Sequence, residues 1–299
     1  MTLRWLDLVD PTQAELESAL PPGVDPDVIE ALLGPARPGR EPHPVIEAHG
    51  SYVFGVLVVM SPRVEENHAY QEIGFVATPE RLVTVRRSSS PDITYDVAAL
   101  YATAAAGAPV GVLVHRLVDD VADTYLDLLD AVYADIDSLE DEIDSLRPAE
   151  VRRRLAELRH MLLHRRRTVS GMRAVARRIF DGRIEVGEHA LFPPDVERRF
   201  GDTYDTLVRV TEELDIARDL LAGARDHLQS KIAENQNEVG KKLTVIASLV
   251  LVPSFIVGFY GQNFEGVFDR EFWTLGISLG LILGSTLVQL ALFRWRRWI

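Results

Sequence analysis

The chain has 299 residues, no cysteine, and 32 basic against 45 acidic residues, which gives a net charge of −13. The lack of cysteine excludes disulfides, thiolate metal ligands and cysteine nucleophiles. The negative charge argues against nucleic-acid binding, because neutralising phosphates takes clustered lysine and arginine, and it favours cations as partners. The sign reverses along the chain, since residues 1–240 carry a balance of −16 and residues 241–299 one of +3. An acidic body is therefore expected to continue into a basic, apolar tail.

The first 107 residues alternate turn signals with short apolar runs, which predicts a small cytoplasmic α/β domain. Helices are expected at 12–20 and 27–33. Strands are expected at 3–8, 52–60, 72–76 and 81–85, with a hairpin turn at residues 78–80 between the last two. The sequence of this region contains no Gly-rich phosphate loop that opens a helix and no recognisable Ser/His/Asp set.

Residues 108–240 are predicted to form a region of long cytoplasmic helices. Residues 110–146 have helical apolar spacing and carry eleven acids between Asp119 and Asp144, and residues 150–181 carry ten arginines. An antiparallel pair with complementary charges is the simplest account. The acids are interpreted as a solvated face, with accumulation of divalent cations near an ion pathway as the open alternative. His160 and His164 have zinc-ligand spacing, but the sequence around them offers no third ligand and several positive charges.

A third helix is predicted from Pro194 onward, because no proline interrupts the helical spacing before Pro253. If it continues into the membrane it is about 65 residues and on the order of 100 Å long. A single helix of that length needs partners along its length, so self-association about an axis is expected.

Two charge-free runs, 18 residues at 243–260 and 22 residues at 272–293, are each long enough to cross a hydrocarbon core of about 30 Å. Residues 241–299 are therefore predicted to form a transmembrane region. Cations precede the first span and follow the second, so both termini are expected on the cytoplasmic side of the inner (plasma) membrane. The cations are Lys241, Lys242, Arg294, Arg296 and Arg297, and Trp273, Trp295 and Trp298 lie at the ends of the second span. Gly276, Gly280 and Gly284 share one helix face and are interpreted as a packing surface.

At the outer end of the first span the sequence reads Tyr260-Gly261-Gln262-Asn263-Phe264-Glu265. Here it resembles the CorA family of divalent-cation channels and transporters, which carry an aromatic-Gly-Met-Asn signature followed by Phe and an acid. Asn237-Glu238-Val239, Leu243-Thr244, Pro253 and Gly258 extend the match upstream. On its own, a Gly-x-Asn tripeptide is typical of a helix C-cap, but its position between two spans favours the pore interpretation.

The resemblance implies a selectivity filter formed by Tyr260, Gly261, Gln262 and Asn263. Mg²⁺ holds its octahedral water shell tightly, so a ring of Asn263 amides would recognise the hydrated ion without stripping it. Gly261 would let the backbone turn at the helix end. Gln262 stands where the main family has Met and a zinc-handling branch often has Val, so the ion preference is left open between Mg²⁺, with Co²⁺ or Ni²⁺, and Zn²⁺.

The family's pore runs along the stalk and first span, and six positions here match it at spacings that keep them on one helix face. They are Asn237, Gly240, Leu243, Ala247, Leu251 and Ser254. Leu243 and Leu251 would form apolar rings that resist wetting, as a gate does. Gly240 stands where relatives often have a bulky gate residue, so weaker gating is expected there.

The resemblance also assigns Asp202, in Phe200-Gly201-Asp202-Thr203, to the position where family members bind regulatory Mg²⁺ between neighbouring cytoplasmic domains. Asp92 and Asp96 are the candidates for the facing residue. The alternative is an ordinary solvated aspartate near a helix start.

Together these features predict an α+β chain that combines an N-terminal α/β domain, a helical funnel and two C-terminal transmembrane helices. The expected function is a homo-oligomeric divalent-cation channel, pentameric by family resemblance, in contact with lipid and with no cofactor beyond Mg²⁺ as substrate and regulator. A zinc transporter of the same family and a non-conducting, membrane-tethered helical scaffold are the alternatives. A membrane-bound enzyme is disfavoured, because the sequence shows no recognisable catalytic constellation.

Overall fold

The computed structural model describes residues 4–34, 43–60, 70–88, 95–97, 99–100, 107–187, 190–261 and 271–298, with side chains from 275 onward in the last range. The elements in chain order are β1 (Trp5–Val9), α1 (Gln13–Ala19), α2 (Pro26–Leu33), β2 (Val45–Ala48), β3 (Val53–Met60), β4 (Tyr70–Ala77), β5 (Leu82–Ser88), α3 (Val110–Glu142), α4 (Pro148–Phe180), α5 (Pro194–Tyr260) and α6 (Glu271–Trp295). The predicted α+β architecture is confirmed, with an α/β portion first, long helices next and two apolar helices last.

The five strands form one sheet in the order β1-β5-β4-β3-β2. β1 runs parallel to β5, and the other neighbours are antiparallel, with Phe54 opposite Val76 and Gly74 opposite Val85. The turn between β4 and β5 closes as predicted, because the Thr78 N–H donates to the Arg81 carbonyl oxygen at 2.9 Å. Nearly every residue of β3 and β4 is buried, which indicates that both faces of the sheet are covered.

Helices α1 and α2 cover one face of the sheet. α1 begins with a capping box, in which Thr12 and Glu15 satisfy each other's backbone amides. These hydrogen bonds hold the pKa of the Glu15 carboxyl below its ordinary value. α2 begins with Asp25 as N-cap and Pro26 in its first turn. The buried cluster beneath them consists of Leu16, Ala19, Leu20, Val28, Leu32, Tyr52, Phe54, Val76, Val83 and Val85.

The opposite face of the sheet carries Leu57, Ile73 and Phe75, all fully buried, and α3 and α4 contact strands from β2 to β5. The hydroxyl of Tyr125 on α3 donates to the backbone carbonyl of Val58, which ties this helix to β3. The α/β portion therefore has helices on both sides of one sheet.

α3 and α4 pack against each other and are joined by residues 143–147. Glu142 and Arg154 form an ion pair between them. Arg165 on α4 is buried, and this burial lowers the pKa of its guanidinium to about 10, a fall that the nearby Asp135 carboxylate opposes. The predicted charge complementarity extends beyond this pair, since Arg166 binds Asp215 on α5 at 2.8 Å.

The chain divides into two compact units, residues 1–225 and 226–299, whereas the predicted boundaries at 107 and 240 stay predictions. Within the first unit, α5 buries residues at alternating spacings of three and four: Leu207, Val210, Leu214, Ala217, Leu221 and Ala224. In the second unit, the last part of α5 and the described part of α6 are apolar and long enough to cross a membrane by length and composition.

Candidate functional site

The last third of α5 has two faces with different environments. Val245 is 6% exposed, and Ser248, Val252 and Ile256, which follow at helical spacing, are partly buried. These residues mark the side of the helix that is packed within the protomer.

The six predicted pore positions lie on the other side of the helix. Leu243 is 65% exposed and Leu251 is 71% exposed, and Asn237, Gly240, Ala247 and Ser254 are exposed as well. At 3.6 residues per turn, the centres of the two faces lie roughly 130° apart. The structure therefore leaves these positions uncovered within one chain, and their pore-lining role stays a prediction.

Two hydroxyl groups in this segment donate to backbone carbonyls of their own helix, and one proline removes a backbone donor. The Thr244 hydroxyl donates to the Gly240 carbonyl at 2.9 Å, and the Ser248 hydroxyl to the Val245 carbonyl at 3.0 Å. Pro253 lies inside the helix and lacks the N–H that would bond to the carbonyl four residues earlier. One backbone carbonyl in the middle of the span thus has no helical donor.

The candidate filter begins where α5 ends. Tyr260 is the last helical residue, and the Gly261 N–H donates to the Val257 carbonyl at 2.8 Å. A Cβ atom at position 261 would lie 3.0 Å from that carbonyl oxygen, so a larger residue would force the helix end to shift. Gln262 and Asn263 lie outside the described residues.

Asp202 lies near the start of α5 and is exposed. Its neighbour Thr203 is fully buried and donates its hydroxyl to Asp119 Oδ1 on α3 at 2.6 Å. The His115 ring stands edge-on to Phe200, with ring centroids 5.0 Å apart, beside this hydrogen bond. These contacts fix the face of α5 that packs on α3 and leave Asp202 pointing away from it.

The residues expected to face Asp202 belong to a neighbouring copy, so their pairing with it stays a prediction. Asp92 lies outside the described residues, and Asp96 is exposed and accepts a hydrogen bond from the Ala99 N–H at 3.4 Å. Within the described ranges, no group of three or more His, Asp and Glu side chains is arranged to hold a metal ion, and this includes His160 and His164. The regulatory role of Asp202 is still a prediction.

Two hydroxyl donors near the acid-rich part of α3 were not predicted. Besides Thr203, the Tyr95 hydroxyl donates to Asp120, and burial followed by that carboxylate raises the pKa of the Tyr95 phenol. Asp123 has a pKa above its ordinary value, first through burial and then through the negative charges of its neighbours Asp119, Asp120 and Asp127. Tyr95 and Thr203 are far from α3 in sequence, so no local pattern predicts these contacts.

The chain is similar in sequence to two proteins named as metal-ion transporters. It is 27% identical to the cobalt/magnesium transport protein CorA of Thermotoga maritima over 192 residues, 62% of this chain and 52% of that protein. It is 23% identical to the putative metal ion transporter YfjQ of Bacillus subtilis over 247 residues, 81% of this chain and 75% of that protein. The chain thus matches about half the length of the first relative and three quarters of the second.

The fold is shared with solved structures of low sequence identity. The complete CorA magnesium transporter of Methanocaldococcus jannaschii superposes with a TM-score of 0.80 at 18% identity, covering 99% of this chain and 91% of that one. The cytoplasmic domain of ZntB from Vibrio parahaemolyticus gives a TM-score of 0.58 at 12% identity, covering 77% of this chain and 88% of that one. The family model described as CorA-like Mg²⁺ transporter protein matches residues 1–296. The resemblance in the sequence is thereby confirmed, and the chain belongs to the CorA family, a family of transporters and not of enzymes.

Proposed function

We propose that this chain assembles with copies of itself into a membrane channel for divalent cations, with Mg²⁺ as the main substrate. The observation that supports this proposal is the exposed face of α5, which carries all six predicted pore positions and leads to Tyr260 and Gly261. An apolar helix with one unpartnered face gains stability when copies pack about an axis. The cations flanking the spans support an orientation with both termini in the cytoplasm.

Recognition of the ion is assigned to the segment after Gly261. In the assembly, the Asn263 amides form a ring whose oxygens accept hydrogen bonds from the waters of a hydrated Mg²⁺. Neutral amides suit this task, because stripping the octahedral shell is costly and carboxylates would hold the ion too long for rapid conduction. No cofactor enters the proposal, since Mg²⁺ acts as substrate and regulator.

Gating is assigned to the apolar positions of the same face. Rings of Leu243 and Leu251 exclude water when narrow and admit it when the helices move apart. Gly240 is exposed and has no side chain, so it contributes no bulk to such a constriction.

Regulation is assigned to Asp202, which the Thr203–Asp119 contact leaves exposed at the surface of the body. Mg²⁺ bound between Asp202 and a neighbouring copy bridges the cytoplasmic parts of the two copies and favours the closed assembly. A fall in internal Mg²⁺ releases the bridge, so the ion biases a two-state equilibrium.

Zn²⁺ transport is the second candidate. It is favoured by Gln262, which departs from the Met of the main family signature, and by the shared fold of the ZntB cytoplasmic domain. The homo-oligomeric assembly is common to both candidates, so only ion competition separates them.

Flux in reconstituted vesicles tests the proposal. The wild-type chain is expected to carry Mg²⁺ into proteoliposomes, with Zn²⁺ a weak competitor, and Asn263→Ala is expected to abolish uptake because the amide ring is lost. Ser278→Ala is the matched control, since the Ser278 hydroxyl donates within its own helix, to the Leu275 carbonyl at 3.0 Å.

Unchanged uptake by Asn263→Ala removes the filter assignment. Preferred uptake of Zn²⁺ makes the chain a zinc transporter, and absence of flux for both ions in vesicles with correctly inserted protein supports the non-conducting scaffold.

A further inference from the structure

The cytoplasmic end of α6 closes with a specific backbone motif. The Trp298 N–H donates to the Phe293 carbonyl at 2.9 Å, and the Arg297 N–H donates to the Arg294 carbonyl at 3.1 Å. Arg297 has a φ of 54°, and the rings of Phe293 and Trp298 stack with centroids 5.8 Å apart. These are the two hydrogen bonds and the apolar contact of a Schellman cap.

The residue at the left-handed position of this cap is unusual. Glycine normally occupies it, because a Cβ atom makes the left-handed conformation unfavourable. Here the position is held by an arginine, and the stacking of Trp298 on Phe293 contributes to keeping the chain in that conformation. A charged side chain therefore stands where the helix end itself would favour glycine, which points to a role for the charge.

The charge belongs to a patch of three exposed residues, Arg294, Arg296 and Arg297, which we term the C-terminal arginine patch. Among the described side chains of residues 226–261 and 275–298, none of the three forms an ion pair with a carboxylate, whereas Lys242 on α5 pairs with Glu238 at 2.8 Å. Among these described side chains, the patch is therefore a group of cations without a carboxylate partner.

The surroundings of the patch identify the kind of partner. Trp295 is 79% exposed and the preceding apolar residues Leu287 and Val288 are also largely exposed, as expected for a helix end at the boundary between acyl chains and headgroups. A guanidinium binds phosphate oxygens through parallel N–H groups. The cytoplasmic leaflet presents such phosphates, and anionic lipids add net negative charge.

We propose that the C-terminal arginine patch binds the headgroups of anionic phospholipids, with Arg297 held for this contact by the Schellman cap. The inference rests on the membrane orientation proposed above. Its readout is lipid binding and not ion flux, so the two proposals can fail separately.

Binding of phosphatidylglycerol to the full-length protein in detergent tests the proposal, with phosphatidylcholine as the comparison lipid. Arg297→Gly is the most informative variant, because glycine fits the left-handed position. It is expected to weaken phosphatidylglycerol binding about fivefold while leaving the melting temperature unchanged or higher. The triple variant Arg294→Gln, Arg296→Gln, Arg297→Gly is expected to lose binding on the order of a hundredfold, and added salt is expected to weaken the wild type.

The matched control is Arg152→Gln, which removes one exposed arginine from α4 in the body and is expected to bind phosphatidylglycerol like the wild type. The proposal is overturned if the triple variant binds phosphatidylglycerol as tightly as the wild type, or if phosphatidylcholine binds equally well. Inorganic phosphate at matched concentration is expected to leave the melting temperature unchanged, and a rise equal to that given by phosphatidylglycerol overturns the assignment to lipid.

Discussion

The two compact units of this chain handle apolar side chains in opposite ways. In residues 1–225, large apolar residues such as Phe200 and Leu214 are almost completely buried. Among the described side chains of residues 226–299, most large apolar ones are exposed, among them Leu251, Phe255 and Leu287. The first unit satisfies its hydrophobic surface within one chain, whereas the second requires an apolar surrounding that the chain does not supply. Lipid and further copies of the chain are the partners that the proposed function provides.

The comparison is tested most directly by replacing leucine with alanine at two positions of α5, one in each unit. Leu214→Ala removes a side chain that is 1% exposed and is expected to lower the free energy of unfolding of the body by about 2–5 kcal/mol, because a cavity remains in a packed interface. Leu251→Ala removes an exposed side chain and is expected to leave body unfolding unchanged while altering Mg²⁺ flux.

Denaturant unfolding of the purified protein, followed by a probe in the body, gives the first quantity, and proteoliposome flux gives the second. Equal destabilisation by both variants would mean that Leu251 is packed within the protomer and does not line a pore.

A link between the two units is expected at Asp202. If metal at this residue holds the channel closed, Asp202→Ala should require at least about fivefold more internal Mg²⁺ for half-maximal closure, a shift typical of coupled sites. Flux measured against internal Mg²⁺ gives the dose dependence. Asp195→Ala, which removes an exposed acid from the first turn of α5, is the control. An unchanged dose dependence for Asp202→Ala rules out the regulatory role.

The buried hydrogen bond between Thr203 on α5 and Asp119 on α3 is expected to stabilise residues 1–225. Thr203→Val keeps the shape of the side chain but removes the donor to Asp119, so we expect a loss of about 1 kcal/mol in the free energy of unfolding. Thr206→Val, a partly buried position on the same helix, is the comparison variant. If both variants unfold alike, the Thr203–Asp119 hydrogen bond contributes no net stability.

The smallest effect is expected at Asp123, where the fold raises the pKa above the ordinary value of 3.8. A raised pKa means that the charged carboxylate is less stable in the folded protein, so its stabilising contribution is present below pH 3.8 and is lost as the pH rises through the folded pKa. Asp123→Asn should therefore raise the free energy of unfolding near neutral pH, by less than about 1 kcal/mol because the group is mostly exposed.

The gain in the free energy of unfolding should shrink as the pH approaches 3.8. Asp130→Asn, at an exposed position on the same helix, is the control. A stabilisation by Asp123→Asn that is independent of pH would show that charge repulsion is not its cause.

Helix positions were predicted well because their signals are local. Apolar spacing, the charge-free runs and the prolines at 194 and 148 gave α3 to α6 to within a few residues. Differences arise at ends, since α3 stops at Glu142 instead of residue 146 and Pro148 opens α4. Strand β2 was not predicted, because four residues at a sheet edge with Pro44 before them give little pattern.

In the candidate site, too, local features were predicted from the sequence and long-range contacts were not. The common face of the pore positions follows from helical periodicity, so sequence alone was sufficient to group them. The hydroxyls of Tyr95 and Thr203 reach carboxylates on α3 from 25 and 84 residues away, and only the folded chain brings them there. Local spacing also gives no information about which residue of another copy would face Asp202.

Arg165 on α4 has one more consequence. At a pKa of about 10 it stays protonated in the cell, so a full positive charge is enclosed where α4 meets the acid-bearing α3. Sliding one helix along the other by a turn, about 5.4 Å, would carry this cation away from Asp135, and a buried charge that loses its partner is costly. The enclosed cation thus acts as a stop against slippage, and the two helices are expected to tilt or separate as a unit instead of shearing past one another.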